Sequence, residues 1–283
     1  MLLKAYFIVR DVERKKIVLS IRGTLSARDV LTDLCCTAEE FLPHSGDVIS
    51  TSTTPNIETK FKARAHHGML EAARGVSGAT KEIITSELVE YPGYDLVIVG
   101  HSLGGGTAAV LGSLWRNLFP SLTVFAYGCP CVGPLEVHPT VNGSIVSVVG
   151  VGDPFSCLSL GHLAEITSTL SKLCENHDLR NAVLERTQSD VEGMDDTDLF
   201  WCLDLLSSFR GEIVAEKFYP PGRILYMGGN QFGGDDEITL KEVTQEDFMD
   251  LKLHPRMFDL SRHVPHRYEA VLRRLWTNFE GND

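Results

Sequence analysis

Val97-Ile98-Val99-Gly100-His101-Ser102-Leu103-Gly104-Gly105 is the stretch on which the reading of this chain turns. Its β-branched residues make a short buried strand, and Gly104, Gly105, Thr107, Ala108 and Ala109 begin a small-residue helix able to pack closely on a sheet. Between strand and helix stands G-x-S-x-G. A serine on so sharp a turn sits in strained backbone, so its neighbours two residues either side need to be glycine. The helix behind it aims free N–H groups at any negative charge developing near the serine. A glycine-rich phosphate loop is the competing reading, but G-x-x-x-x-G-K-[ST] is absent and no acidic residue occupies the ribose position.

Working outward, residues 95–99 lead through this turn into a helix expected over 103–117. The apolar run 122–126 ends in Gly128-Cys129-Pro130, and 145–151 stops at Gly152-Asp153-Pro154 before a helical stretch from Leu160. Short buried strands alternating with helices predict an α/β fold, a mostly parallel central sheet flanked by helices. Upstream, residues 5–9 and 17–21 read as a hairpin joined by the charged turn 11–16. Residues 28–36 have helical spacing, with Val30, Leu31 and Leu34 on one face. The Ser-, Thr- and Pro-rich stretch 37–62 reads as a surface excursion, and 67–90 as a helix weakened by Gly75 and Gly78. Downstream, the acidic segment 185–217 reads as a helical excursion, 223–227 and 237–243 as late strands, and 269–278 as the closing helix. The expectation is one domain over residues 1–283, with no linker.

Composition narrows the function. The 283 residues carry 26 Lys plus Arg against 38 Asp plus Glu, a formal net charge of -12. Such acidity excludes nucleic acid as a partner and gives no electrostatic attraction to anionic headgroups. No apolar run approaches the roughly 20 residues of a membrane-spanning helix, and no signal peptide is visible, so a cytoplasmic protein is expected. The seven cysteines are odd in number and lack paired metal spacing, which reads as free thiols in a reducing compartment. Cys129 and Cys131 read as packing residues. No metal site or cofactor is expected.

A serine nucleophile needs a base and an orienting acid, which follow it in the order acid then histidine in the α/β-hydrolase arrangement. Asp153 follows an apolar strand, at the same carboxyl edge of a parallel sheet that would carry Ser102; the alternative is an Asp-Pro turn. The histidines beyond it are His162, His177, His254, His263 and His266. His263 lies in a loop just before the final helix, where this arrangement delivers its base. His266 falls at the helix start, and His162 and His177 fall inside helical stretches. A second oxyanion donor besides the Leu103 N–H is also needed. Ile21-Arg22-Gly23-Thr24-Leu25-Ser26 reads equally as that donor segment or as a plain turn.

Those last residues, followed by Asp29 and Thr32-Asp33-Leu34, resemble the oxyanion segment of class 3 lipases, the diacylglycerol lipases in particular. The likeness runs in order through His66-His67-Gly68-Met69, the Ser102 turn, Phe125-Ala126-Tyr127 and residues 148–153. It resumes at Tyr219-Pro220-Pro221-Gly222-Arg223-Ile224 and His263-Val264-Pro265. The resemblance implies the α/β-hydrolase fold, with Ser102 as nucleophile, Asp153 as acid, His263 as base, and Thr24 with Leu103 as oxyanion donors. It implies hydrolysis of a neutral lipid, diacylglycerol at its sn-1 ester, during peripheral contact with a membrane or lipid-droplet surface. A phospholipase A1-type enzyme or broad carboxylesterase is the alternative within the enzymes, and a silent lipase-like binding module the alternative outside them. Two departures stand out. The transmembrane helices of the family's membrane members are missing, so a soluble relative or an incomplete gene product is expected. After the acid the family usually reads Asp-x-Val-Pro-Arg, whereas this chain has Asp153-Pro154-Phe155-Ser156-Cys157.

Overall fold

The computed structural model describes residues 4–23, 38–41, 63–134, 144–150, 152–156, 159–186, 196–211, 216–228, 239–245 and 260–280. The chain divides into two compact units. One comprises Met1–Leu158 with Phe218–Asp283, and the other Ser159–Lys217.

In the first unit, the hairpin forms as β1 (Tyr6–Asp11) and β2 (Lys16–Ile21). A four-residue strand β3 (Ala38–Phe41) pairs antiparallel with β4 (Ala63–His66), and α1 (His67–Glu90) follows directly. Then come β5 (Asp95–His101), α2 (Leu103–Trp115), β6 (Thr123–Tyr127) and β7 (Ile145–Gly150). After the second unit the chain adds β8 (Arg223–Gly228), β9 (Thr239–Val243), a 3-10 turn (Leu260–His263) and a closing helix. That helix begins at Pro265, four residues before the expected start, because proline's fixed φ suits a helix's first position.

The main sheet has the order β1-β2-β5-β6-β7-β8-β9. Strands β2, β5, β6, β7 and β8 run parallel, with an antiparallel strand at either end. Alternation along each strand sorts its side chains between two faces. Ile17, Leu19, Leu96, Ile98, Val124 and Ala126 pack with Met69, Leu70 and Val76 of α1 and with Leu111 and Trp115 of α2. Every residue of α2 is buried, so it carries almost no polar face. On the opposite face Phe125, Tyr127, Val146 and Val148 meet Tyr268, Val271 and Leu272 of the closing helix. Gly75 and Gly78 do not interrupt α1, because Met69, Leu70, Ala73 and Val76 anchor that part of the helix in the core.

Two expectations need revision or fall outside the described residues. The stretch 37–62 is not wholly a surface excursion. Its first residues form β3, where Phe41 is buried and Glu39 bonds His67 at 2.5 Å and Arg74 at 2.7 Å on α1. Four residues are too few to show a strand period, so only the pairing with β4 reveals it. The helix expected over 28–36 lies outside the described residues.

The second unit is helical: α3 (Leu160–Glu175), α4 (His177–Arg186) and α5 (Asp196–Gly211). Ser159 caps α3 and lies 2.9 Å from His162 Nδ1. Lys217 pairs with the buried Glu165 at 2.7 Å. The Arg186 guanidinium lies 4.2 Å from the Trp201 ring centre. The helical excursion expected over 185–217 is therefore the later part of a unit that starts at Ser159.

Candidate active site

The site is assembled from the ends of β5 and β7 and from the 3-10 turn before the closing helix, here α6 (Pro265–Glu280). At the end of β5, Ser102 has φ 57° and ψ -133°, a conformation costing a non-glycine residue about 1–3 kcal/mol. The glycines two residues either side make the turn possible. A Cβ on Gly100 would lie 2.2 Å from the Gly104 carbonyl oxygen, and one on Gly104 2.3 Å from the Ile21 carbonyl oxygen. The turn is held by the Ser102 N–H donating to the Tyr127 carbonyl at 2.9 Å and the Gly106 N–H to the Ser102 carbonyl at 3.0 Å.

Strands β5, β6 and β7 run parallel, so the residues after them share one edge of the sheet. There Asp153 is 1% exposed and faces His263 Nδ1, with its carboxylate oxygens at 2.8 and 3.0 Å. A carboxylate only accepts, so Nδ1 carries the ring proton and Nε2 is left to accept. The Ser102 hydroxyl donates to that Nε2 at 2.7 Å. Serine, imidazole and carboxylate thus form one buried chain of hydrogen bonds spanning 161 residues of sequence.

The other histidines are placed differently. His266 is exposed on the first turn of α6, His162 is buried beside Ser159, and His177 is exposed near Arg180. His254 lies outside the described residues. Leu103 opens α2, where a helix's first N–H groups have no acceptor within the helix. Thr24 also lies outside the described residues. The strand leading to it ends against the turn, since a Cβ on Gly23 would fall 3.4 Å from Ser102 Cβ.

Sequence reasoning missed three neighbours. Tyr268 on α6 donates its hydroxyl to Asp153 Oδ2 at 2.5 Å and accepts the Gly150 N–H at 2.9 Å. Burial, followed by the adjacent Asp153 charge, pushes its pKa well above 10, so it remains a donor. The His101 ring lies 4.8 Å from that of His263. Burial and then the neighbouring His263 lower its pKa from 6.5 to about 4, leaving it neutral at pH 7. Phe155 lies 4.3 Å from the His263 ring. An apolar period in a helix, the variable position before a motif's serine and a residue after Asp-Pro carry no local mark of such contacts.

Cys129 and Cys131 are buried free thiols, in keeping with their reading as packing residues. Burial raises the Cys129 pKa to about 12, and Cys131 lies 3.4 Å from the Ser156 carbonyl oxygen. Beside the site a cavity of about 720 Å³ is lined by His101, Tyr127, Pro265, Tyr268, Leu272 and Trp276, among others.

The family model described as lipase (class 3) matches residues 18–160, half of the chain. The chain belongs to the class 3 lipase family. Human diacylglycerol lipase-alpha is 37% identical to this class 3 lipase over 135 residues, covering 44% of this chain and 11% of that protein. The lipase of Rhizopus niveus is 29% identical over 132 residues, covering 45% of this chain and 30% of its own length. The matched region is thus about a tenth to a third of the length of these relatives. Among solved structures, a mutant of MDLA from Penicillium cyclopium superposes over 92% of this chain and 73% of its own. Its TM-score is 0.56 and its identity 18%, a likeness of fold: the α/β-hydrolase fold. Among the described residues, no helix is long and apolar enough to cross a membrane.

Proposed function

We propose that this class 3 lipase hydrolyses an ester of diacylglycerol, at the sn-1 position, through an acyl-enzyme on Ser102. The observation that carries the reading is the unbroken chain from Ser102 Oγ to His263 Nε2 at 2.7 Å and from His263 Nδ1 to Asp153 at 2.8 Å. His263 takes the serine proton as Oγ attacks the ester carbonyl. The imidazolium so formed is stabilised by Asp153, and it returns the proton to the departing glyceride oxygen. The Leu103 N–H, with Thr24 on the strength of the resemblance, binds the oxyanion. Water activated by His263 then releases the fatty acid.

Substrate class rests on the relatives, human diacylglycerol lipase-alpha and mouse diacylglycerol lipase-beta among them. The charge of -12 agrees with an uncharged headgroup, since phosphatidylserine or phosphatidic acid adds like-charge repulsion. Contact with a membrane or lipid droplet is then peripheral and apolar. The free thiols fit a cytoplasmic location. A single hydrolase domain over residues 1–283 remains our reading of the organisation.

The test is fluorophosphonate labelling together with initial rates on diacylglycerol and phospholipid in mixed micelles, for wild type and Ser102→Ala. We expect wild type to label and to release fatty acid faster from diacylglycerol, mainly from sn-1. Ser102→Ala should do neither while remaining folded. Persistent turnover in Ser102→Ala would overturn the nucleophile, and equal or faster phospholipid cleavage would make the enzyme a phospholipase A1.

A further inference from the structure

The imidazole of His263 is tied at both nitrogens, but hydrogen bonds at Nδ1 and Nε2 leave the ring free to rock about the axis joining them. Packing has to restrain that motion. Two rings touch it. His101 approaches to 4.8 Å between centroids with the planes 44° apart, and Phe155 to 4.3 Å at 55°. Phe155 is 3% exposed, so its position is set by the surrounding packing.

Phe155 also acts on the acid. Its backbone N–H donates to Asp153 Oδ1 at 3.0 Å, the same oxygen that lies 3.0 Å from His263 Nδ1. The other oxygen takes the Tyr268 hydroxyl. One residue therefore holds the carboxylate through its backbone and meets the base through its ring.

Gly128 bounds the imidazole as well. Gly128 has φ +52°, and a Cβ there would lie 3.1 Å from His101 Nε2, 3.2 Å from Asp153 Oδ2 and 3.2 Å from His263 Cε1. The Gly128 backbone thus comes up against three of the side chains that make the site. A base bounded by His101, Gly128 and Phe155 has little room to leave its line between serine and carboxylate.

We propose that Phe155 is a positioning residue for His263: its ring packs at a tilt against the imidazole and holds the base in line between Ser102 and Asp153. The proposal rests on His263 being the base. The contact is between two side chains of the enzyme, so its loss acts on turnover and leaves substrate affinity alone.

The experiment compares wild type with Phe155→Leu, Phe155→Tyr and Phe155→Val, each checked for folding by circular dichroism and thermal unfolding. Leucine keeps an apolar side chain and removes the ring. In Phe155→Leu kcat should fall about tenfold with KM within twofold of wild type; tenfold corresponds to ~1.4 kcal/mol, the scale of an aromatic pair. Phe155→Tyr keeps the ring and should restore kcat to within threefold. A further readout needs no activity: the downfield NMR resonance of the His263 Nδ1 proton held by Asp153. It should be sharp in wild type and Phe155→Tyr and broadened in Phe155→Leu and Phe155→Val, because a rocking imidazole exposes that proton to exchange.

Unchanged kcat and an unchanged resonance in folded Phe155→Leu would overturn the proposal. So would a rise in KM alone, which would make Phe155 a substrate contact. If wild type showed no ester hydrolysis, the functional reading would fail, and the resonance would still decide whether Phe155 holds the ring.

Discussion

Replacing Tyr268 by phenylalanine removes one oxygen atom and little else. That oxygen donates to Asp153 Oδ2 at 2.5 Å and accepts the Gly150 N–H at 2.9 Å, in a residue 3% exposed. Losing a hydrogen bond to a charged group costs about 1.5–3 kcal/mol, and leaving the half-buried Gly150 N–H without its acceptor costs at most about 1–3. A total near 3 kcal/mol is reasonable, since the two losses share one site and do not add fully. At roughly 2–4 °C per kcal/mol for a chain of this size, the unfolding midpoint should drop by about 6–12 °C. Activity should suffer less than if Asp153 itself were lost. The carboxylate keeps His263 and the Phe155 N–H, so kcat should fall about tenfold, against roughly 10⁴-fold for removing an orienting acid. The alkaline side supplies a sharper signature. In the unfolded chain Tyr268 loses its proton near pH 10, whereas burial and the Asp153 charge keep it protonated in the fold to well above that. Above pH 10 the unfolded state therefore binds fewer protons than the native state, and stability falls as pH rises. Tyr268→Phe lacks this contribution, so its stability deficit should narrow between pH 10 and 11. Thermal and urea unfolding across pH 7–11, with initial rates on one ester substrate, measure all three effects. Wild-type midpoint and kcat in Tyr268→Phe, or a deficit that stays constant above pH 10, would refute the reasoning.

Two further outcomes test the rest of the geometry. His263→Ala should lower kcat by several orders of magnitude, because a triad acts as a unit, while exposed His266→Ala keeps most of it; steady-state rates on the same ester check this, and reversed phenotypes would move the base to His266. Gly104→Ala should destabilise by more than 2 kcal/mol and abolish probe labelling, since its Cβ would lie 2.3 Å from the Ile21 carbonyl oxygen; a labelled, stable variant would show that β2 and α2 can separate.

What the sequence determined by itself is what a short window of residues encodes. The Ser102 turn is legible because strand, glycines and small-residue helix follow one another without a gap, and the backbone at φ 57° meets that expectation. The span of α1 is legible from its 3.6-residue period, and Asp153 and His263 stand out because each is a titratable residue in a loop next to a regular element. The tertiary structure decided everything that joins distant residues. Tyr268 lies 115 residues from Asp153, and on its own helix it is one more apolar position facing a core. His101 stands next to the nucleophile, yet only burial against His263 makes it a neutral neighbour of the base. Strand β3 exists because β4 pairs with it across a gap of 21 residues, not because Ala-Glu-Glu-Phe favours extension. The division follows from the physics. Backbone propensity and hydrophobic period are properties of a few consecutive residues. Register, burial and the meeting of loops at one sheet edge depend on which strands lie side by side, and that is settled only when the whole core packs.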